Sequence, residues 1–249
     1  MSDVIEEVDR IEGLAHPRET YDLVGHKQSE QTFLSDYQSG KFAHAWLISG
    51  PPGVGKATFA YRIARSLLNE SNTSEQGAMF DDGPSLDVSP DEHVSHLIEA
   101  QGHPNLLVLK RSPDPKTKKM RNLLTVDVVR QLHGFFGLAA GQPGWRICII
   151  DTADDMNANA ANALLKTLEE PPEKSLLLVL AHAPGRLLPT IRSRCRHLRL
   201  NPLSDDQVIE VLQKHVGSGL DANQMAALAH LAEGSAGRAL QLAQEGGLE

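Results

Sequence analysis

Residues 50–58 of this 249-residue chain combine glycine, proline and one lysine at a spacing that suits phosphate chemistry. They read Gly-Pro-Pro-Gly-Val-Gly-Lys-Ala-Thr, which fits the pattern G-x-x-x-x-G-K. In such loops, backbone N–H groups at the start of a helix bind phosphate, and the lysine contacts the β- and γ-phosphates. We therefore expect a nucleotide to contact Gly50, Pro52, Gly53, Val54, Gly55, Lys56, Ala57 and Thr58.

The position after Lys56 departs from this pattern. A Ser or Thr hydroxyl normally ligates Mg²⁺ there, whereas this chain has Ala57, which offers no ligand. Thr58 is rotated from it by about 100° around a helix, so its hydroxyl is expected to point elsewhere unless the helix register shifts. The sequence leaves open whether Thr58 replaces the missing ligand, and we predict no metal site.

An aspartate at the end of an apolar segment provides the second element of such a site. The segment 146–151 ends in Asp151, which is the residue type that supports Mg²⁺ opposite a phosphate loop. Its simpler interpretation is a turn residue at a strand end. An active ATPase commonly has a glutamate next, to orient the attacking water, but Thr152 stands here. Asp154 and Asp155 are predicted to cap the following helix.

These substitutions affect metal and water chemistry, whereas nothing in the loop blocks phosphate binding. We predict that the chain binds nucleotide, fully or weakly, and has negligible turnover of its own. Two alternatives are a self-sufficient ATPase, which Ala57 and Thr152 oppose, and a small-molecule kinase, for which no acceptor pocket is recognisable.

Short apolar segments alternate with amphipathic ones through the first 200 residues. Strands are predicted at 44–49, 105–109, 145–151, 175–181 and 197–200, and helices at 27–39, 55–68, 89–102, 125–136, 157–170 and 187–194. This alternation indicates an α/β fold with a parallel sheet covered by helices on both faces. Ligands bind at the carboxyl ends of such strands, where Gly50 and Asp151 both lie.

The pattern changes at residue 202. Ser204, Asp221 and Ser235 each precede an amphipathic segment, and no further strand is predicted. We therefore expect a nucleotide-binding domain over residues 1–201 and a small all-helical domain over 202–249, which leans on the first because it is small.

Composition bounds the location and the partners. The net charge of −8 opposes binding to DNA through overall charge alone, although it permits a local basic surface. No apolar run approaches the ~20 residues that span a bilayer, and the acidic N-terminus is unlike a targeting peptide. The two cysteines, Cys148 and Cys195, make no disulfide framework, so we expect a cytoplasmic protein without a membrane partner.

Three stretches resemble the AAA+ ATPases and, within them, the clamp-loader subunits of bacterial DNA polymerase III. The run Asn-Ala-Leu-Leu-Lys-Thr-Leu-Glu-Glu-Pro-Pro at 162–172 is similar to the clamp-loader signature. Ser193-Arg194-Cys195 resembles its SRC motif, and residues 234–239 resemble the second sensor of the helical lid. The resemblance covers roughly residues 16–245 and implies an AAA+ P-loop fold with a five-stranded parallel sheet.

The resemblance also implies roles and partners. Arg194 would be an arginine finger that reaches the nucleotide of a neighbouring gamma/tau-type ATPase subunit, although by itself it could be a helix-end charge. Arg238 would face this chain's own ATP or ADP from the lid, or form a surface salt bridge. The delta subunit would be a further partner, and the sliding clamp and primer-template DNA would be met through the assembled bacterial complex. The alternative within the family is an active gamma/tau-like ATPase.

The chain departs from the family pattern in two features, a zinc module and a collar domain. Many relatives have a four-cysteine zinc module, but residues 71–99 contain no cysteine, so no structural zinc is expected. His93, His96 and His103 are interpreted as surface residues. Relatives also have a helical collar domain that assembles a pentamer; the chain ends soon after the lid, so we expect the collar to be absent and this piece to be monomeric.

Overall fold

Five parallel strands form one sheet in the computed structural model, which describes Arg10 and residues 14–40, 42–73, 85–113, 117, 119–137, 144–216 and 219–245. The strands are β1 Ala45–Ser49, β2 Leu106–Leu109, β3 Arg146–Ile150, β4 Ser175–Ala181 and β5 Arg196–Arg199. Their order across the sheet is β2-β3-β4-β1-β5. The predicted five-stranded parallel sheet is confirmed.

The strand register brings the functional loops to one edge of the sheet. Ser49 at the end of β1 pairs with Ala181 at the end of β4, and Ile150 at the end of β3 pairs with Val179. The residues that follow β1, β3 and β4 therefore emerge side by side. This edge is where a parallel sheet places its ligands.

Six helices cover the two faces of the sheet: α1 Lys27–Gln38, α2 Lys56–Thr73, α3 His93–Glu99, α4 Val126–Gly137, α5 Ala158–Glu169 and α6 Pro189–Arg192. Trp46 and Ile48 of β1 point into the layer that contains α1, α2 and α3. Ala45 and Leu47 point into the layer of α4, α5 and α6. Because both faces are buried, the strands read as continuous apolar runs rather than alternating ones.

Three further helices, α7 Asp205–Val216, α8 Ala222–Ala232 and α9 Ala236–Gln244, pack around an apolar cluster of their own. The predicted capping residues start each of them. Ser204, Asp221 and Ser235 accept the backbone N–H groups of Gln207, Gln224 and Arg238 at 3.3, 2.8 and 3.1 Å. These bonds satisfy donors that the first helical turn leaves without partners.

Several helix boundaries differ from the prediction, and α2 continues to Thr73 instead of ending at residue 68. Helix α3 begins at His93 rather than at residue 90, because Ser89 closes a turn in which its carbonyl accepts the Glu92 N–H at 3.2 Å. Helix α6 is a single turn. Residues 71–88 are polar and glycine-rich, which predicts an insertion; residues 71–73 instead belong to α2, and residues 74–84 lie outside the described residues. None of the described helices combines the length and apolar character that crossing a bilayer requires.

Candidate nucleotide-binding site

A cavity of about 380 Å³ opens at the carboxyl edge of the sheet, within the size range of small-molecule sites. It lies between the phosphate loop, the N-terminal segment 14–24, the ends of β3 and β4, and helices α7 and α9. The predicted residues that line it are Pro52, Gly53, Val54, Gly55, Lys56, Ala57, Thr58 and Asp151. The fold thus gathers most of the predicted nucleotide contacts around one space.

Lys56 is buried at the start of α2 and contacts the loop itself. Its ammonium group donates hydrogen bonds to the carbonyls of Gly50 at 2.8 Å and Pro51 at 2.7 Å. Burial lowers the pKa of Lys56 to about 8, while Asp151 and Asp154 act in the opposite direction. A phosphate in the cavity would favour the protonated form of this lysine.

A buried histidine, which the sequence did not indicate as a site residue, contacts the backbone of the phosphate loop. The His26 Nε2 atom lies 2.8 Å from the Val54 carbonyl oxygen, so Nε2 carries the donated proton. Burial lowers the pKa of His26, so the ring is neutral at pH 7. Nothing in the sequence distinguishes His26 from a solvent-exposed histidine before α1, because its partner is 28 residues away.

The lid touches the phosphate loop directly. The Gly237 N–H donates to the Gly53 carbonyl at 2.9 Å, and the Ser235 hydroxyl donates to the Pro52 carbonyl at 2.9 Å. Gly53 has φ +72°, and a Cβ atom there would lie 2.3 Å from Ser235 Oγ. A Cβ at Gly237 would lie 2.9 Å from Gly53 Cα. Only glycine at both positions permits this approach.

The end of β3 holds Asp151 beside the loop, but the next acidic residues do not cap a helix as predicted. Asn157 itself caps α5, accepting the Ala160 N–H at 2.8 Å. The buried Asp154 carboxylate instead accepts the backbone N–H groups of His182 at 3.2 Å and Ala183 at 3.0 Å. This side chain therefore fastens the end of β3 to the end of β4.

Thr152 and His182 also line the cavity, although neither was predicted to contact the nucleotide. Thr152 lines the cavity in the left-handed conformation, with φ 56° and ψ 58°, which is unusual for a β-branched residue. His182 lines it from the end of β4, and burial and the nearby Lys56 lower the pKa of its ring. A neutral imidazole here presents hydrogen-bonding nitrogens without adding positive charge.

The donor atoms at the site fit a nucleotide better than a bound metal. Ala57 contributes no oxygen, although Thr58 does line the cavity. The described residues contain no group of three histidine, cysteine, aspartate or glutamate side chains able to hold a metal ion. The prediction that His103 lies at the surface is wrong. This residue is buried, and its Nδ1 atom accepts the Asn105 N–H at 3.1 Å.

Arg238 lies at the surface. Its guanidinium Nη1 pairs with Glu233 Oε2 at 3.2 Å, and both side chains are more than half exposed. It is not among the residues that line the cavity; the neighbouring Ala236, Gly237 and Leu240 are. The structure therefore shows the salt bridge that the sequence left as an alternative.

Arg194 follows α6 and is not among the residues that line the cavity. Its Nη2 atom is 2.8 Å from Glu169 Oε1, and its Nη1 donates to the Thr190 carbonyl at 3.1 Å. Ile191 and Cys195 are buried on either side of it along the chain, which fixes the backbone while the guanidinium reaches solvent. The Arg194 side chain is 36% exposed and does not contribute to this chain's own cavity.

Comparison with known proteins gives a consistent set of relatives. The family model described as "DNA polymerase III, delta subunit" matches residues 25–204. The DNA polymerase III subunit delta' of Pseudomonas aeruginosa is 40% identical over 153 residues, covering 61% of this chain and 42% of that protein. The Escherichia coli subunit delta' is 32% identical over 214 residues, covering 86% of this chain and 58% of that protein. The chain thus spans about half the length of these curated relatives.

Solved structures support the fold. The Thermotoga maritima RuvB Holliday junction branch migration motor superposes with a TM-score of 0.53 at 17% identity, covering 92% of this chain and 65% of that one. At this identity, the likeness establishes the architecture alone. It agrees with the AAA+ fold expected from the motifs.

Proposed function

The chain belongs to the DNA polymerase III delta-prime family, and from this premise we propose that it is a clamp-loader subunit whose Arg194 completes a neighbour's ATP site. The observation that carries the proposal is the exposure of the Arg194 side chain on an anchored turn. The chain's own site meanwhile has Ala57 at the position of the metal ligand. An arginine supplied in trans can accelerate phosphoryl transfer by 10³–10⁵. ATP turnover by the assembled complex, with wild type or Arg194→Ala, tests it.

The chain's own cavity would then hold ATP or ADP without hydrolysing it. The loop supplies backbone N–H groups and Lys56, and Asp151 follows β3 at the same edge of the sheet. Asp151 and Thr58 line the cavity with side-chain oxygen atoms, but we predict no metal site in this chain, and neither residue replaces the water-orienting glutamate. A nucleotide here would stabilise the contact between loop and lid.

The partners follow from the same family membership. We propose that gamma/tau-type ATPase subunits and the delta subunit flank this chain in a cytoplasmic bacterial assembly. Residues 1–201 and 202–249 would act as its nucleotide-binding and lid domains. The assembly, rather than this acidic chain alone, would meet the sliding clamp and primer-template DNA.

Nucleotide affinity is expected to fall as pH rises above 8. Lys56 has a pKa of about 8 without nucleotide, and phosphate favours its charged form, so binding above that pH requires proton uptake. ADP affinity should fall by up to about tenfold per pH unit between 8 and 10. Calorimetry in two buffers of different ionisation enthalpy measures the affinity and the protons taken up. A Lys56→Met variant should bind weakly with no such slope; a flat wild-type profile from pH 7 to 9.5 opposes this role of Lys56.

Ala57→Ser is expected to create Mg²⁺-dependent binding. The new hydroxyl stands where phosphate loops place their metal ligand, so ATP affinity with Mg²⁺ should rise about tenfold over affinity in chelator. Hydrolysis should stay negligible, because Thr152 is not basic enough to orient water. Thr58→Ala is the matched control for whether the wild type already has a hydroxyl ligand. Brisk Mg²⁺-dependent turnover by the wild-type chain would favour the gamma/tau-like alternative.

A further inference from the structure

The exposed guanidinium of Arg194 is held on two sides in the free chain. Glu169 at the end of α5 pairs with its Nη2 atom at 2.8 Å, and the Thr190 carbonyl accepts from Nη1 at 3.1 Å. The Arg194 side chain is 36% exposed and the Glu169 side chain 51% exposed. We propose that Glu169 is a positioning residue for Arg194, an inference that rests on the proposed function of Arg194 as a finger.

The end of α5 is itself fixed, which gives Glu169 a defined place from which to act. Pro171 disfavours helical geometry at Glu170, so the helix ends at Glu169. The His44 Nε2 atom lies 3.0 Å from the Leu168 carbonyl oxygen, one of the carbonyls that a helix end leaves without an internal partner. His44 directly precedes β1, so the strand that leads into the phosphate loop also supports the helix end that carries Glu169.

The two contacts leave the guanidinium able to bind phosphate. An arginine has five N–H donors in a rigid plane, and the carboxylate and the carbonyl each use one. The remaining donors stay available for the phosphate oxygens of a neighbouring nucleotide. A mobile arginine would lose rotamer freedom when it binds the neighbouring phosphate. Because Glu169 already orders the Arg194 side chain, less conformational entropy is lost in reaching the transition state.

The chain offers a matched control beside Glu169. Glu170 has the same charge, is exposed and follows immediately, but the described ion pair of Arg194 goes to Glu169. Removing either carboxylate changes the net charge equally. Neither side chain is buried, so Glu169→Ala and Glu170→Ala should both fold.

The test is ATP turnover in the complete complex, assembled with partner ATPase subunits, clamp and primed DNA. The variants to compare are Glu169→Ala, Glu170→Ala, Arg194→Ala and the double variant that carries both Glu169→Ala and Arg194→Ala. An exposed pair of this kind predicts that Glu169→Ala slows hydrolysis two- to fivefold at the one site that Arg194 serves, as measured by single turnover, with unchanged ATP binding. Glu169→Gln should recover part of the loss, because its amide oxygen still accepts a hydrogen bond. Glu170→Ala should match the wild type.

The double variant decides whether the two residues act together. If Glu169 acts through Arg194, adding Glu169→Ala to Arg194→Ala should cause no further loss. An equal loss in both backgrounds, or a Glu169→Ala complex as active as wild type while Arg194→Ala is impaired, overturns the positioning role alone. Full activity of Arg194→Ala overturns the finger assignment and the positioning role with it.

Discussion

Replacing Arg194 with alanine is expected to slow ATP hydrolysis at the neighbouring site by roughly 10³-fold, the low end of arginine-finger effects. The guanidinium stabilises charge that develops on the γ-phosphate, so the loss should appear in kcat rather than in ATP binding. Sites that keep their own fingers will continue to turn over. A single-turnover measurement on the assembled complex separates the site that stops from those that do not.

Two variants control this experiment. Arg186→Ala removes another exposed arginine eight residues away and should leave turnover unchanged. Arg194→Lys keeps the charge but loses the planar set of donors, so an intermediate rate is expected. If Arg186→Ala and Arg194→Ala slow hydrolysis equally, general surface charge rather than a finger would explain the effect.

Gly53→Ala is expected to destabilise the protein by about 2–5 kcal/mol and to weaken ADP binding. An alanine at φ +72° costs about 1–2 kcal/mol by itself. Its Cβ would also lie 2.3 Å from Ser235 Oγ and 3.1 Å from Gly237 Cα, and such crowding adds about 1–3 kcal/mol. Ser235 cannot move without giving up its bonds to Pro52 and Arg238, so the lid should shift away from the loop. Chemical denaturation measures the loss.

Gly40→Ala isolates the backbone component of that loss. Gly40 has nearly the same φ, +70°, but no atom lies within 4 Å of its added Cβ, so only the conformational cost of about 1–2 kcal/mol is expected. The difference between the two variants measures the contact between loop and lid. Equal destabilisation would mean that the lid does not rest on Gly53 in solution.

Local patterns predicted the features that depend on near neighbours in sequence. The phosphate loop follows a buried strand and opens a helix, and the caps Ser204, Asp221 and Ser235 bind N–H groups three residues ahead. The alternation of short apolar segments with amphipathic ones predicted a parallel sheet with both faces buried. These signals lie within a few residues of the structures that they specify.

Contacts between distant segments were beyond such reasoning. His26 supports Val54 from 28 residues away, and Ser235 binds the Pro52 carbonyl across 183 residues. Asp154 resembled a helix cap because a helix follows closely, yet its partners belong to the end of β4. In each case, the sequence shows the polar residue but not which distant segment lies beside it.

We propose above that this chain contributes a finger to its neighbour and needs no hydrolysis at its own loop. Single-turnover ATP hydrolysis by the complete complex, with either Lys56→Met or Arg194→Ala in this chain alone, tests it most directly. We expect Lys56→Met to leave the rates within about twofold of wild type, whereas Arg194→Ala should slow one site by roughly 10³-fold. Loss of a hydrolysing site with Lys56→Met, together with normal rates for Arg194→Ala, would contradict it.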